Sequence, residues 1–389
     1  PNLNGSGVKV AIRENGRPNA HIDFASRLQF VESGVSDSGE VKHSTAVVGQ
    51  IGSSGTTVPG AKGIAPAVEM FAYAWGAEPF ETADLVAGKT AGIRISNHSY
   101  GPVVASPADL GSYDIISRDW DQVIRDNDLV ATFAGNEEPG PTTKHIDFFV
   151  GMKNGICVGA TNSQAHAGDT DPAVAPRDGL ASFSQFGPMN DGRVKPDVLA
   201  FGEGVTLVSG TNTSGVQSGT SFSTPAVTGM LALIFQQYKT KTGNDPSAAL
   251  AKGLLCNSAT DVGLTGPDAM HGFGIANVEA AISTIGLITA TSSPFSEGTA
   301  TNGSVATFGA FLQDTAQLKV TLCWMDPAGN PAAAKALVND LDLELQAPDG
   351  TIFRPFSMDP ANPLAAATTT APNSVDPIEQ VILNLPQNG

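Results

Sequence analysis

Short apolar runs alternate with longer segments of helical spacing from residue 8 to residue 285. Residues 8–12, 68–74, 93–97, 129–133, 156–159 and 204–209 have the length of buried strands, and several run into Gly, Asn or Ser. Helical spacing is clearest in 110–126, where Ile115, Ile116, Trp120, Val123 and Ile124 share a face. Further helices are predicted over 81–91, 221–238, 246–256 and 276–285, and one opens at His43. Strands alternating with helices predict an α/β fold, a mostly parallel sheet with helices on both faces.

Such sheets place their sites beyond the carboxyl ends of strands. Glu14, Ser99 and Asn136 fall just after predicted strands, and His43 and Ser221 lie near predicted helix starts. These polar residues therefore converge on one edge.

The period changes beyond about residue 287. Segments 305–312, 318–324 and 341–345 alternate apolar and polar positions, separated by Asp326-Pro327, Pro348-Asp349-Gly350 and Asn362-Pro363. This predicts a smaller antiparallel β-sandwich or barrel. The expected domains are 1–286 and 287–389. The strand expected at 381–385 lies so near the end that the second domain reads as truncated.

A chain of 389 residues is long for one core, in keeping with two domains. A net charge of −17 opposes nucleic-acid binding. No apolar run approaches the ~20 residues that span a bilayer. Pro1-Asn2-Leu3-Asn4 lacks the features of a signal peptide, so a processed, secreted form is expected. Cys157, Cys256 and Cys323 are far apart and sit in apolar runs, which reads as buried thiols with one bridged pair left open.

Ser218-Gly219-Thr220-Ser221-Phe222-Ser223-Thr224-Pro225 crowds small residues at the start of an apolar helix. There a hydroxyl meets unpaired N–H groups and the positive end of the helix dipole. Alone, the stretch is an ordinary helix cap. A nucleophile also needs a base, an acid to orient it and an oxyanion donor. His43, in the small-residue run His43-Ser44-Thr45-Ala46, suits the base, and Asn136 after Ala134-Gly135 offers an amide with room beside it. His21, His98, His145, His166 and His271 read as turn or packing residues.

Taken together, these motifs resemble those of the subtilisin-like serine proteases, whose residues run acid, His, Asn, Ser along the chain. Gly219-Thr220-Ser221-Phe222-Ser223-Thr224-Pro225 is similar to the nucleophile motif and His43-Ser44-Thr45-Ala46-Val47-Val48-Gly49 to the histidine motif. Ala134-Gly135-Asn136 resembles the oxyanion segment, and Asn97-His98-Ser99-Tyr100-Gly101 the substrate-binding strand. Phe183-Ser184-Gln185-Phe186-Gly187-Pro188 and Lys195-Pro196-Asp197-Val198 are also typical. The stretches 318–327 and 337–343 resemble a subgroup with a C-terminal β-barrel or jelly-roll domain.

The resemblance implies a secreted, monomeric serine endopeptidase acting on polypeptides. Ser221, His43, Glu14 and Asn136 would be catalytic, and Ser99, Tyr100, Gly101 and Gly135 would bind substrate. No cofactor is implied for catalysis. A pro-segment or protein inhibitor is an expected partner; nucleic acid and membrane are not. Structural Ca²⁺ is a further expectation, with Asp340, Asp342 and Asp349 as candidate ligands.

Where the family has Asp-Ser/Thr-Gly, this chain has Glu14-Asn15-Gly16. Glutamate is one methylene longer. This leaves two readings: a working acid of altered geometry, or a weakened pseudoprotease that binds peptides. Asp23 is a lesser candidate acid, in a segment that reads as a solvated turn.

Overall fold

The computed structural model describes residues 2–32, 41–74, 82–101, 110–137, 146–162, 179–211, 213–309 and 317–384. Strands β1 (Lys9–Glu14), β2 (Leu28–Phe30), β3 (Glu69–Ala74), β4 (Ile95–His98), β5 (Val130–Ala134), β6 (Ile156–Thr161) and β7 (Val198–Phe201) form one sheet. Its order is β2-β3-β1-β4-β5-β6-β7 and every pairing is parallel. After β1 the chain builds β2 and β3 on one side, then crosses to β4 and onward on the other. The crevice beyond β1 and β4 is thus the switch point where ligands of open α/β sheets bind.

Alternation along the strands explains why both faces are covered. Val130, Ile156 and Val158 enter one buried cluster, while Ala131, Phe133 and Cys157 enter another with Trp120 and Ile124. The helices are α1 (Val41–Gly52), α2 (Thr82–Thr90), α3 (Ile115–Asn127), α4 (Thr220–Thr242), α5 (Ala248–Ser258) and α6 (Val278–Gly286). Helix α3 starts with the Asp114 carboxylate accepting from Ser117 N at 2.8 Å and ends at Asp128 in the left-handed region.

Helix α4 is the axis of the first cluster, packing on α1 and on β4, β5, β6 and β7. Its small and apolar residues are buried on nearly all sides, the pattern of an internal helix. A Cβ at Gly229 would lie 2.6 Å from Cβ of Ile64, so glycine permits that close approach. Thr228 ties α4 to the sheet through Asn97 Oδ1 at 2.8 Å and Thr132 Oγ1 at 2.6 Å.

Two short strands of the main sheet escape a pattern reading, β2 and β7. Residues 204–209, expected in the main sheet, instead give β8 (Val205–Val208) in an antiparallel hairpin with β9 (Ser214–Gln217). An apolar run specifies a strand but not its partner.

Beyond α6, β10 (Gln317–Cys323) pairs antiparallel with β13 (Ile378–Asn384), and β11 (Leu345–Gln346) with β12 (Ile352–Phe353). Among the described residues these two ladders do not join into one sheet. Residues 305–309 form no strand, and Val305 and Phe308 are 90% and 74% exposed. Of 341–345 only Leu345 is in a strand. Alternation marks a surface suited to pairing, yet the described residues supply these segments with no facing strand.

The C-terminal region is anchored through buried charge. Lys153 Nζ pairs with the Asp326 carboxylate and donates to Pro327 O at 2.6 Å and Ala336 O at 2.9 Å. Asp326 also accepts from Val338 N and Asn339 N, each at 2.8 Å. Asn154 brackets the Asp326 backbone, accepting from its N at 2.9 Å and donating to its O at 2.8 Å. Lys153 and Asp326 are both fully buried, so the pair is desolvated and its hydrogen bonds must hold it.

Candidate active site

Glu14 is the last residue of β1 and is buried. The turn after it is fastened to α1: Ser44 Oγ donates to Asn15 O at 3.3 Å, and Thr45 Oγ1 accepts from Asn19 N at 2.8 Å. These bonds fix the first turn of α1 against the end of β1 and bring His43 over Glu14. His43 Nδ1 lies 3.0 Å from Glu14 Oε2, with the ring 23% exposed and the carboxylate 2%. Opposite an ionised carboxylate, which only accepts, a neutral ring would carry its proton on Nδ1 and leave the Nε2 lone pair for proton transfer.

Ser221 is the second residue of α4, directly after Gly219-Thr220. The helix start is tightened by hydroxyls, with Ser223 Oγ and Thr224 Oγ1 donating to Thr220 O at 3.0 and 2.8 Å. Pro225 has no N–H and so cannot pair with the Ser221 carbonyl one turn back. Phe222 is buried, and its ring lies 5.4 Å from the His43 ring, centroid to centroid. The Ser221 turn and His43 therefore share one wall. The Ser221 hydroxyl donates to Ser99 O at 3.3 Å, from which a rotation about χ1 would redirect it.

Ser221 N–H is among the first-turn groups outside the helical ladder. It points at Glu137 Oε1, 3.5 Å away, and Thr220 Oγ1 approaches the same oxygen at 3.4 Å. An anionic oxygen thus lies where two donors converge, marking a position suited to an oxyanion. Glu137 is exposed.

Asn136, two residues beyond β5, holds φ +67°, a left-handed conformation that asparagine tolerates better than most residues. Its Oδ1 accepts from Glu137 N at 2.8 Å, and its Nδ2 donates to Asp147 Oδ2 at 2.8 Å. Gly101 lies against this amide, where a Cβ would be 3.4 Å from Nδ2. Gly135 remains in the ladder, donating to Val158 O at 2.9 Å, with no room for a Cβ, which would meet the same oxygen at 3.0 Å.

Behind this edge, Tyr100 OH is 2.9 Å from His98 Nδ1, and His98 Nε2 is 2.8 Å from Ser96 Oγ. The His98 ring stacks on Phe133 at 4.6 Å. Burial, assisted by the Arg13 charge, holds His98 well below the usual histidine range, so it is a neutral bracket for Tyr100.

Glu14 bonds His43, the Phe222 ring next to Ser221 packs on the His43 ring, and Glu137 connects Ser221 N to the Asn136 amide. A profile of the Subtilase family matches residues 5–274, well over half of the chain.

This chain belongs to the subtilase family.

Subtilisin NAT of Bacillus subtilis subsp. natto is 28% identical over 291 residues, 71% of this chain and 66% of that protein. The serine protease/ABC transporter B family protein tagA of Dictyostelium discoideum is 29% identical over 198 residues, 42% of this chain and 11% of the other. The match thus spans less than two thirds of either relative. Among solved structures, a mutant of the protease domain of PatA aligns with a TM-score of 0.57 at 22% identity, covering 73% of this chain and 98% of that one. The Prenylagaramide maturation protease PagA gives 0.54 at 21% identity, with 71% and 93% coverage. At such identities the structures support the fold alone.

Contacts link Glu14 to His43, His43 to Phe222 next to Ser221, Ser221 to Ser99 O, and Asn136 to Gly101, while Tyr100 and Gly135 adjoin these residues in sequence. The structure removes Asp23 as an alternative acid. Asp23 is 4% exposed rather than in a solvated turn, and its carboxylate is taken by Thr57 N at 3.1 Å, Thr57 Oγ1 at 3.0 Å and Ser53 Oγ at 3.3 Å. His21 packs on Phe24, and His271 is held by Asp268 at 3.1 Å. His145 and His166 lie outside the described residues.

The three cysteines are free thiols, and burial pushes Cys157 and Cys323 up to about 12. Asp340, Asp342 and Asp349 are exposed, and Asp349 serves its own turn by accepting from Thr351 N at 2.9 Å. Among the described residues no group of three or more His, Cys, Asp or Glu side chains could hold a metal ion, and no helix is long and apolar enough to cross a membrane.

Sequence reasoning missed Thr220, Glu137 and Asp147. The first two adjoin Ser221 and Asn136, which is the signal that could have found them. Asp147 has no such signal.

Proposed function

We propose that this subtilase is a serine endopeptidase using a Ser221–His43–Glu14 triad. His43 Nε2 takes the Ser221 proton as Oγ attacks the scissile carbonyl, then returns it to the leaving amine. Glu14 holds the ring and stabilises the imidazolium. Asn136 Nδ2 and Ser221 N–H receive the oxyanion, with the Thr220 hydroxyl beside them. Ser99, Tyr100, Gly101 and Gly135 line the edge against which the substrate backbone lies.

The observation that carries this reading is the 3.0 Å contact from buried Glu14 to His43 Nδ1. The extra methylene has not lengthened the bond that an acid must make. The test is a fluorophosphonate reagent, which should label Ser221 in the folded protein and leave a His43→Ala variant unlabelled. Folded protein that stays unlabelled rejects the reading.

The second reading, a peptide-binding module without turnover, draws on the Ser221 hydroxyl pointing to Ser99 O and on the Glu137 carboxylate at the oxyanion position. It predicts saturable binding of unfolded polypeptide with no cleavage. We further propose a secreted monomer whose groove a pro-segment or protein inhibitor can fill. Its catalysis needs no cofactor, with Ca²⁺ at most structural. We also assign residues 1–286 to the catalytic domain and 287–389 to an accessory β domain.

A further inference from the structure

Asp147 is fully buried, contacts Asn136 and belongs to no part of the proposed triad. Its two carboxylate oxygens are used differently. Oδ1 accepts from Phe149 N at 2.9 Å, starting the short 3₁₀ turn Phe148–Val150, while Oδ2 accepts from Asn136 Nδ2 at 2.8 Å.

We propose that Asp147 is the positioning residue of the oxyanion hole, setting which end of the Asn136 amide faces the substrate. The proposal rests on the reading of Asn136 as an oxyanion donor. An asparagine amide is nearly symmetric in shape, and a half-turn exchanges its donor and acceptor ends. In the flipped state an oxygen would face the substrate carbonyl and repel the developing negative charge.

A carboxylate behind the amide forbids that state, because oxygen would then face oxygen. Glu137 N, donating to Asn136 Oδ1 at 2.8 Å, selects the same orientation from the other end. Nδ2 has two protons. Asp147 takes one, and the reading of Asn136 as the oxyanion donor assigns the other to the substrate. The opposing effect is repulsion between Asp147 and the oxyanion itself, and the sign of a charge-removing substitution decides which effect is larger.

Asp147→Asn separates the roles within one side chain. Its Oδ1 still accepts from Phe149 N, but its amide then presents N–H groups to Asn136 Nδ2. Donor facing donor drives Asn136 to flip or withdraw. Asp147→Ser keeps an acceptor for Phe149 N and drops the contact to Asn136, and it carries the experiment if the first variant does not fold.

The experiment is a kinetic double-mutant cycle with Asn136→Ala, using a fluorogenic peptide built on a cleavage site mapped in a digested protein. Asn136→Ala alone should lower kcat by about 10²–10³-fold. Asp147→Asn should lower kcat by roughly ten- to a hundredfold with KM within about twofold, and should add less than about threefold once Asn136 is alanine. An equal loss in both backgrounds, no loss in the parent, or a gain in kcat overturns the proposal. An Asn136→Ala variant as fast as the parent also removes the oxyanion assignment on which the proposal rests.

Discussion

The Glu14 carboxylate meets His43 Nδ1 at 3.0 Å from the end of a buried strand, so the proposed acid and base are held by different elements, β1 and α1. Removing the carboxylate should therefore cost far more than shortening it. In subtilisin, loss of the acid lowers turnover by about 10⁴-fold. Glu14→Gln should approach that loss, because its amide can present N–H to Nδ1 and favour the wrong tautomer. Glu14→Asp should lose about ten- to a hundredfold, since the shorter side chain no longer spans the gap. Both are read from kcat on one peptide. An Asp variant faster than the parent would mark Glu14 as a damaged acid.

Phe222 follows the nucleophile and forms the wall beside His43, 5.4 Å from its ring. It offers no sulfur to oxidise at the site. Activity should survive mild peroxide, while Phe222→Met should lose most of its activity as sulfoxide forms beside Ser221. Residual activity against peroxide exposure, with peptide mapping of methionine oxidation, checks this. Equal inactivation of both proteins contradicts it.

Lys153, just before β6, and Asp326, just after β10, form a fully buried pair between the main-sheet region and the C-terminal region. Lys153→Met leaves the Asp326 charge buried without its counter-ion and should cost about 3–5 kcal/mol of stability. Denaturant unfolding measures the loss. A change below about 1 kcal/mol would show that the pair is dispensable.

Glu379, in β13, accepts from Leu343 N at 2.6 Å, yet burial and the nearby Asp342, Asp376 and Asp340 charges push it up to about 8. Burial likewise pushes Asp376 up to about 6. Both bind protons more tightly folded than unfolded. Their stabilising contribution is complete below the ordinary carboxylate range and is lost as pH rises through about 6 and then about 8. Glu379→Gln should raise the melting temperature by several degrees at pH near 9 and leave it unchanged or lower near pH 4. A variant with the same pH dependence as the parent refutes the assignment.

Most of the sheet and the candidate site were legible because their signals are local. The short apolar runs that became β1, β4, β5 and β6 are buried on both faces, and Glu14, Ser99 and Asn136 end such runs. Ser221 and His43 stand in small-residue segments that only tight packing of α1 on α4 explains. Pairing was not legible. Nothing in 204–209 says that its partner is 214–217 rather than the main sheet, and alternation at 305–309 marks no facing strand. Asp147 was hidden for the same reason: its proposed role comes from a contact with Asn136, eleven residues away in sequence, that no local pattern records. Asp23 reads as solvated from its neighbours because Ser53 and Thr57, which satisfy it, are remote in sequence.

The most direct measurement is a digest of a denatured protein by the parent and by its Ser221→Ala variant, with the new termini mapped by mass spectrometry. Cleavage at internal peptide bonds by the parent, falling by about 10⁶-fold in the variant, is the predicted result. Binding of the denatured protein without new termini, or equal cleavage by both proteins, would contradict the assignment of Ser221 as the nucleophile of an endopeptidase.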